Sequence, residues 1–158
     1  MRIRLFAAVC LLLAGSFAIA QDKIETKWNC AKPSEMHSLD VGDVPDHAYV
    51  VAQGTCTAVS GGSLGEKTGS YTEFQEVRKT GFTNHGYFTT KTDSGETLHY
   101  TYAGSGPMDI KKPASNKWTI KGATGKHKGI KGAGGCSGMR HDDESSDWTC
   151  TGTYSAAK

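Results

Sequence analysis

The side chains with the most suggestive chemistry are aromatic, and they cluster in one region of the chain: Tyr87, Tyr100, Tyr102 and Trp118. Residues 85–92 and 96–103 alternate like two strands around Asp93-Ser94-Gly95, which predicts a β-hairpin. A tight Ser94-Gly95 loop would pair Tyr87 with Tyr102 and place all three tyrosines on one face. Such a face is either core or, because each tyrosine carries a polar tip, the lining of a small-molecule site with Trp118.

Cysteines form the second notable set. Four lie beyond the N-terminal apolar stretch that contains Cys10, and they are Cys30, Cys56, Cys136 and Cys150. An even number in an exported chain predicts disulfides, with three connectivities open.

The spacing of the last two cysteines selects one connectivity. A hairpin turn centred on Asp143 places Cys136 directly opposite Cys150, where paired strands come close enough for a bond. This register predicts the Cys136–Cys150 disulfide and leaves Cys30–Cys56 as the second.

Catalytic and metal-binding motifs are weak. Residues 61–65 read G-x-S-x-G, but no helix follows, as a nucleophile elbow requires. The six histidines form no H-x-H pair, and Gly122–Lys126 lacks the spacing of a phosphate loop. We therefore predict no metal and no cofactor, and we assign no catalytic residue.

Residues 1–20 have the features of a signal peptide: basic Arg2 and Arg4, a short apolar stretch, and Ala18-Ile19-Ala20. Cleavage would leave a domain at residues 21–158, exported to the periplasm or the outside of the cell, with no membrane span. It would carry 16 basic and 16 acidic residues, a balance that argues against nucleic acid as the partner. The stretch between Lys111 and Lys131 is nevertheless basic, and it is either a solvated face or a site for anionic polymers.

The elements that must position these residues are strands. Short β-branched and aromatic runs separated by Gly, Ser, Asn and Asp are typical of a sandwich or barrel. We predict about eight strands, among them residues 28–30, 47–60, 71–79 and 117–122, with residues 31–46, 61–70 and 104–115 as loops. Gly54 within the second of these strands predicts a bulge or bend.

Residues 117–137, KWTIKGATGKHKGIKGAGGCS, resemble a segment of bacterial proteins with an allene-oxide-cyclase-like barrel, a fold shared with plant dirigent proteins. The matching positions are Thr124, Gly125, Lys126, Gly129, Gly132 and Gly134, whereas His127 stands where an aromatic residue is usual. The resemblance implies a single eight-stranded antiparallel barrel with an apolar cavity, often oligomeric through its outer face. It carries no catalytic position over to this chain.

Three functions follow as hypotheses. The first is an exported, disulfide-stapled barrel that binds a small apolar ligand through Tyr87, Tyr100, Tyr102 and Trp118. The second is a cyclase- or isomerase-like enzyme, which needs an ionisable group in the cavity, with His99 or Glu73 as candidates. The third is a non-catalytic interaction protein that uses the basic face between Lys111 and Lys131. The residues favour binding over catalysis.

Overall fold

The computed structural model describes residues 21–60 and 62–156 and contains nine strands and a 3-10 turn. The strands are β1 (Asp22–Cys30), β2 (Glu35–Asp40), β3 (Ala48–Ser60), β4 (Glu66–Arg78), β5 (Gly81–Thr92), β6 (Thr97–Pro107), β7 (Ala114–Ala123), β8 (Lys131–Arg140) and β9 (Ser146–Ser155), and the turn is Gly125–His127. The predicted signal peptide at residues 1–20 lies outside the described residues.

Eight of these strands close into an antiparallel barrel, which confirms the predicted all-β barrel. Neighbouring strands pair in the order β1-β9-β8-β7-β6-β5-β4-β3, and β1 then pairs with the second half of β3. The first half of β3 pairs with β2 instead, so β2 is a ninth strand beside the barrel. The sequence predicted a loop over residues 31–46. In the structure all six residues of β2 are exposed, so this strand has no buried face and no apolar alternation.

Strand β4 begins at Glu66, five residues earlier than predicted from the apolar residues at 71–79. The early part of the strand lacks the alternation that predicts a strand, because its inward positions are not apolar. Glu66 and Gly69 are buried, whereas Lys67, Thr68 and Ser70 are exposed. A polar residue pointing into the barrel reverses the usual pattern on which strand prediction relies.

The predicted register of the β5–β6 hairpin is wrong by one residue. Tyr87 faces Thr101, and Phe88 faces Tyr100. The loop has three residues rather than two, with Gly95 at φ 83° and the Thr92 amide bonded to the Glu96 carbonyl. A one-residue shift moves a side chain to the opposite face, so Tyr87 lies outside the barrel and is 64% exposed.

Both predicted disulfides are present, Cys30–Cys56 and Cys136–Cys150. The β8–β9 pairing has the predicted register, with Cys136 opposite Cys150 and Gly138 opposite Trp148. The first disulfide joins β1 to β3 and therefore lies on the seam where the barrel closes. Disulfides persist in oxidising compartments, which agrees with an exported protein.

Glycines on three strands make room inside the barrel for large rings. A Cβ at Gly134 or at Gly152 would collide with the Trp118 indole, and one at Gly54 would lie 2.6 Å from the nearest ring carbon of Tyr71. The pairing of β3 with β4 runs through Gly54 without a shift, so the bulge, one of the two predicted alternatives, is absent there. The glycine serves packing instead.

The barrel has a closed end and an open end. At the closed end, Leu64 from the β3–β4 connection and Ile130 from the β7–β8 connection are buried against Ile24, Leu98 and Ile120. At the open end, the last residues of β1, β6 and β8 are Cys30, Pro107 and Arg140. The interior between the two ends is the candidate site.

Candidate functional site

A cavity of about 340 Å³ occupies the barrel and extends to the open end. Its walls come from inward positions of the strands, and its rim comes from connecting segments that supply Pro33, Ile110, His141 and Glu144. The volume lies near the lower end of the range for small-molecule sites, which is about 300–1,000 Å³. A drug-sized or smaller molecule would fit.

Aromatic rings form a continuous wall through the cavity. The Trp28 and Phe88 rings meet edge to face at 5.0 Å, and the Phe88 ring lies 6.3 Å from that of Tyr100. The Tyr100 and Trp118 rings are again edge to face, at 5.7 Å. Both disulfides also line the cavity, with Trp28 and Trp148 packed beside them. The surface that a ligand would meet is therefore mostly apolar.

Glu73 lies within this wall and accepts three hydrogen bonds. Tyr102 Oη and Asn84 Nδ2 donate to its Oε2, both at 2.9 Å, and Gln75 Nε2 donates to its Oε1 at 2.5 Å. Burial, and then the negative charge of Glu73, raise the pKa of Tyr71 to about 12 and also raise that of Tyr102. Both phenols therefore stay protonated at neutral pH.

A second carboxyl group, Glu66, lies deeper and is only 3% exposed. Thr90 Oγ1 and Tyr100 Oη donate hydrogen bonds to its Oε1 at 2.6 and 2.8 Å. Burial raises the pKa of Glu66, and these two hydrogen bonds only partly offset the effect. The deep end of the cavity therefore holds a carboxyl group that keeps its proton to a higher pH than a solvent-exposed glutamate does.

Arg140 lies at the open end. Its guanidinium is 4.9 Å from the centre of the Phe82 ring, and its Nη2 donates to the Pro107 carbonyl. Burial lowers the pKa of Arg140, whereas the negative charge of Asp109 opposes that shift. These contacts engage Arg140 at the rim and join β8 to the ends of β5 and β6.

Several polar atoms of cavity-lining residues are buried without a hydrogen-bond partner. They are Asn84 Oδ1, Asn116 Oδ1, Trp118 Nε1, Arg140 Nε and Thr26 Oγ1. An unpaired buried polar group costs about 1–3 kcal/mol. A ligand that offered hydrogen bonds to these atoms would recover part of that cost.

The structure brings together some of the predicted site residues and separates others. Tyr100, Tyr102 and Trp118 line the cavity. Tyr87 does not, because it lies on the outer face. Of the two ionisable candidates, Glu73 is in the cavity, whereas His99 is exposed and bonds Thr89 on the surface at 3.1 Å.

Sequence reasoning missed several cavity residues, including Glu66, Phe88, Asn84 and Arg140. The correct register of the β5–β6 hairpin would have found Phe88, which faces Tyr100. Asn84 lies four residues before Phe88 on β5, and the two-residue alternation of a strand therefore places both side chains on the same face. No signal in the sequence distinguishes Glu66 from a solvent-exposed acid.

The basic residues between Lys111 and Lys131 lie outside the cavity, from the open end along β7 to the closed end. Within this stretch, Lys126 is held by Glu96, which accepts a 2.9 Å hydrogen bond from the Lys126 amide. Chiefly through that bond and another from the Ser94 hydroxyl, the pKa of Glu96 falls to about 2. Thr124 Oγ1 accepts a bond from the Thr97 amide at 2.8 Å. The Thr124-Gly125-Lys126 segment thus fastens the β7–β8 connection to β6.

Within residues 21–60 and 62–156, no group of three or more His, Cys, Asp or Glu side chains is arranged to hold a metal ion. Nor does this part of the chain contain a helix long and apolar enough to cross a membrane.

Comparison with known proteins identifies the fold. No protein-family model matches the chain, and no curated protein sequence does. Among solved structures, the pterocarpan synthase dirigent protein GePTS1 matches with a TM-score of 0.55 and 12% identity, over 96% of this chain and 98% of that one. The pterocarpan synthase dirigent protein PsPTS1 gives 0.51 and 12%, over 88% and 97%. The likeness confirms the barrel that residues 117–137 implied: this chain has a dirigent-like, closed, eight-stranded antiparallel fold.

Proposed function

We propose that this chain is an exported barrel protein that binds a small, mostly apolar molecule in its cavity. The observation that carries the proposal is a 340 Å³ aromatic-lined cavity whose lining residues include buried polar atoms without partners. Aromatic walls supply affinity through buried area, and a few convergent polar groups supply orientation. The dirigent-like fold of the chain is compatible with such a site.

In this proposal, Tyr100, Tyr102 and Trp118 contact the ligand through different atoms. The hydroxyls of the two tyrosines already donate to Glu66 and Glu73, so their rings form the contact surface. Trp118 Nε1 is unpaired and is the indole group that would donate to a ligand acceptor. Tyr87 has no part in the site.

The test is displacement of an apolar, environment-sensitive dye, compared between two tryptophan substitutions. Asn116 is half-buried and lines the cavity, whereas Ser115 is its exposed neighbour on β7. Asn116→Trp should fill the cavity and weaken dye binding at least about tenfold, whereas Ser115→Trp should leave it unchanged. Asn116→Leu, a smaller change, should weaken binding less.

Equal dye affinity in all three variants would show that the dye binds elsewhere and would refute the proposal. Wild-type protein that bound no dye, and from which no lipid or aromatic extract displaced dye, would refute it as well. Circular dichroism confirms that each variant is folded before its affinity is compared.

Catalysis on the same barrel is the second candidate, and the position of Glu73 favours it. A cyclase- or isomerase-like reaction needs an ionisable group inside the cavity, and Glu73 lies there beside Tyr71 and Tyr102. The expected result is conversion of a compound in a source extract by catalytic amounts of protein, lost in Glu73→Gln. Conversion that persists in Glu73→Gln would exclude Glu73 as the catalytic group.

The remaining proposals concern the surface and the location of the protein. A basic face between Lys111 and Lys131 would bind anionic polymers with an affinity that falls as the salt concentration rises, and salt-independent binding would exclude that role.

Export through residues 1–20 predicts that the protein from its source begins at Gln21, which mass spectrometry of the intact chain would check. Sedimentation velocity would test assembly through the outer face.

A further inference from the structure

The charge inside the cavity restricts the chemistry of the ligand more closely than the apolar wall of the cavity does. Within residues 21–60 and 62–156, neither Glu66 nor Glu73 forms an ion pair. Arg140 is the one lysine or arginine among the lining residues, and its guanidinium is engaged at the rim with Phe82 and Pro107. A carboxylate in a mostly apolar site is costly unless a positive charge accompanies it.

Near Glu73, there are also more hydrogen-bond acceptor positions than donors to fill them. A carboxylate has about four lone-pair positions. Three hydrogen bonds reach Glu73, two at Oε2 and one at Oε1, so Oε1 can accept another.

Asn84 adds a second acceptor beside the first. Its Nδ2 donates to Glu73 Oε2 at 2.9 Å, and this bond fixes the orientation of the amide, because reversing it would set Oδ1 against a carboxylate oxygen. The remaining Oδ1 is buried without a partner, and the residue is only 9% exposed. Two unused acceptors and a negative charge therefore lie together in an aromatic surrounding.

We infer that the ligand is an apolar amine, a hydrophobic organic cation whose ammonium group pairs with Glu73 and donates to Asn84 Oδ1. An ammonium group carries three donors and one positive charge, so it satisfies both acceptors and balances the carboxylate. Nearby tyrosine rings favour a cation further, since their faces are negative. The apolar part of the molecule occupies the aromatic wall. This inference rests on the proposed ligand-binding function.

The test uses isothermal titration calorimetry with three probes of nearly the same shape, phenylbutylamine, phenylbutanol and phenylbutyrate. Wild-type protein should bind the amine at least about tenfold more tightly than the alcohol, and the alcohol more tightly than the acid. This comparison needs no variant. A preference for the acid would point to Arg140 as the anchor and overturn the inference.

Substitutions then identify which glutamate pairs with the ammonium group. Glu73→Gln keeps the size of the side chain and removes its charge, so it should reduce the amine-to-alcohol affinity ratio to near one. The control, Glu25→Gln, makes the same change on an exposed residue of β1 and should leave the ratio unchanged. A ratio retained in Glu73→Gln but lost in Glu66→Gln would overturn the assignment to Glu73.

The outcomes separate the two proposals. Equal binding of amine and alcohol to wild-type protein would refute the amine and leave the cavity-binding function standing. Binding of none of the three probes, with the dye also failing to bind, would refute both.

Discussion

At the scale of single residues, the polar network inside the barrel gives the sharpest predictions. Tyr102→Phe removes one hydrogen bond to Glu73 and leaves a half-buried carboxylate less satisfied. We expect the free energy of unfolding to fall by about 1.5–3 kcal/mol, the range for hydrogen bonds to charged groups. Tyr87→Phe makes the same change on the outer face, at a 64% exposed residue, and should change stability by less than about 0.5 kcal/mol. Urea unfolding measures both, and equal losses would contradict the assigned register.

Two other glutamates should respond to pH in opposite directions. Burial raises the pKa of Glu66 above its usual 4.5, so the folded state holds this proton more tightly than the unfolded state does. The stability from this residue is complete below about pH 4.5 and is lost as the pH rises through the folded-state pKa. Glu66→Gln, which keeps an acceptor for Thr90 and Tyr100, should therefore be more stable than wild type at neutral pH. This advantage should vanish in acid.

Glu96 behaves in the reverse way. Its pKa is lowered from 4.5 to about 2, so its contribution is present above pH 4.5 and is lost as the pH falls toward 2. Glu96→Gln should lower the thermal midpoint at neutral pH and match wild type near pH 2. Thermal unfolding of both variants between pH 2 and 8 checks the pair. A Glu96→Gln deficit that persisted at pH 2 would show that shape, and not charge, fastens Lys126.

At the scale of elements, the glycines of β8 should be unequal. A Cβ at Gly134 would collide with the Thr151 carbonyl and the Trp118 indole, and backbone cannot move aside cheaply. Gly134→Ala should therefore cost about 1–3 kcal/mol, the usual range for overpacking. At Gly135 an added Cβ would lie 3.1 Å from the Asn116 carbonyl oxygen, so Gly135→Ala should cost less. If denaturant midpoints were the same for both, Trp118 would not pack where the structure places it.

The disulfides are also features of elements, because each joins a pair of strands. Replacing Cys136 and Cys150 by alanine opens a link between residues 14 apart and should cost about 3 kcal/mol, with a slightly larger loss for Cys30 and Cys56, which are 26 apart. Guanidinium unfolding of the two double variants checks these values. A larger loss at Cys136 and Cys150 would contradict the loop-length explanation.

Hairpins show where sequence reasoning succeeds. The β8–β9 register followed from a turn centred on Asp143, and two opposed cysteines made the choice self-consistent. The β5–β6 hairpin had no such check, and a third loop residue, Gly95 at φ 83°, turned Tyr87 outward. The sequence therefore predicted the strand register correctly only for the hairpin in which two cysteines had to face each other.

At the scale of the whole molecule, the sequence predicts the fold class better than the site. Alternating runs and the glycine-rich segment at 117–137 were enough for an eight-stranded barrel, and the structure confirms it. They could not predict that Glu66 faces inward, because a glutamate that faces a cavity cannot be distinguished in the sequence from one that faces solvent. Arg140, held over Phe82 from a distant strand, depends on closure of the barrel.

The central claim is that the interior of the barrel, and not its surface, binds an apolar molecule. The most direct measurement is a nuclear magnetic resonance titration that follows the three tryptophan indole N–H signals of isotope-labelled protein with phenylbutylamine. The account predicts a large, saturable shift of the Trp118 signal, since its Nε1 is buried in the cavity without a partner. The amide signals of exposed Val59 and Tyr87 should stay fixed. Saturable shifts on the outer strands, with the Trp118 signal unmoved, would contradict it.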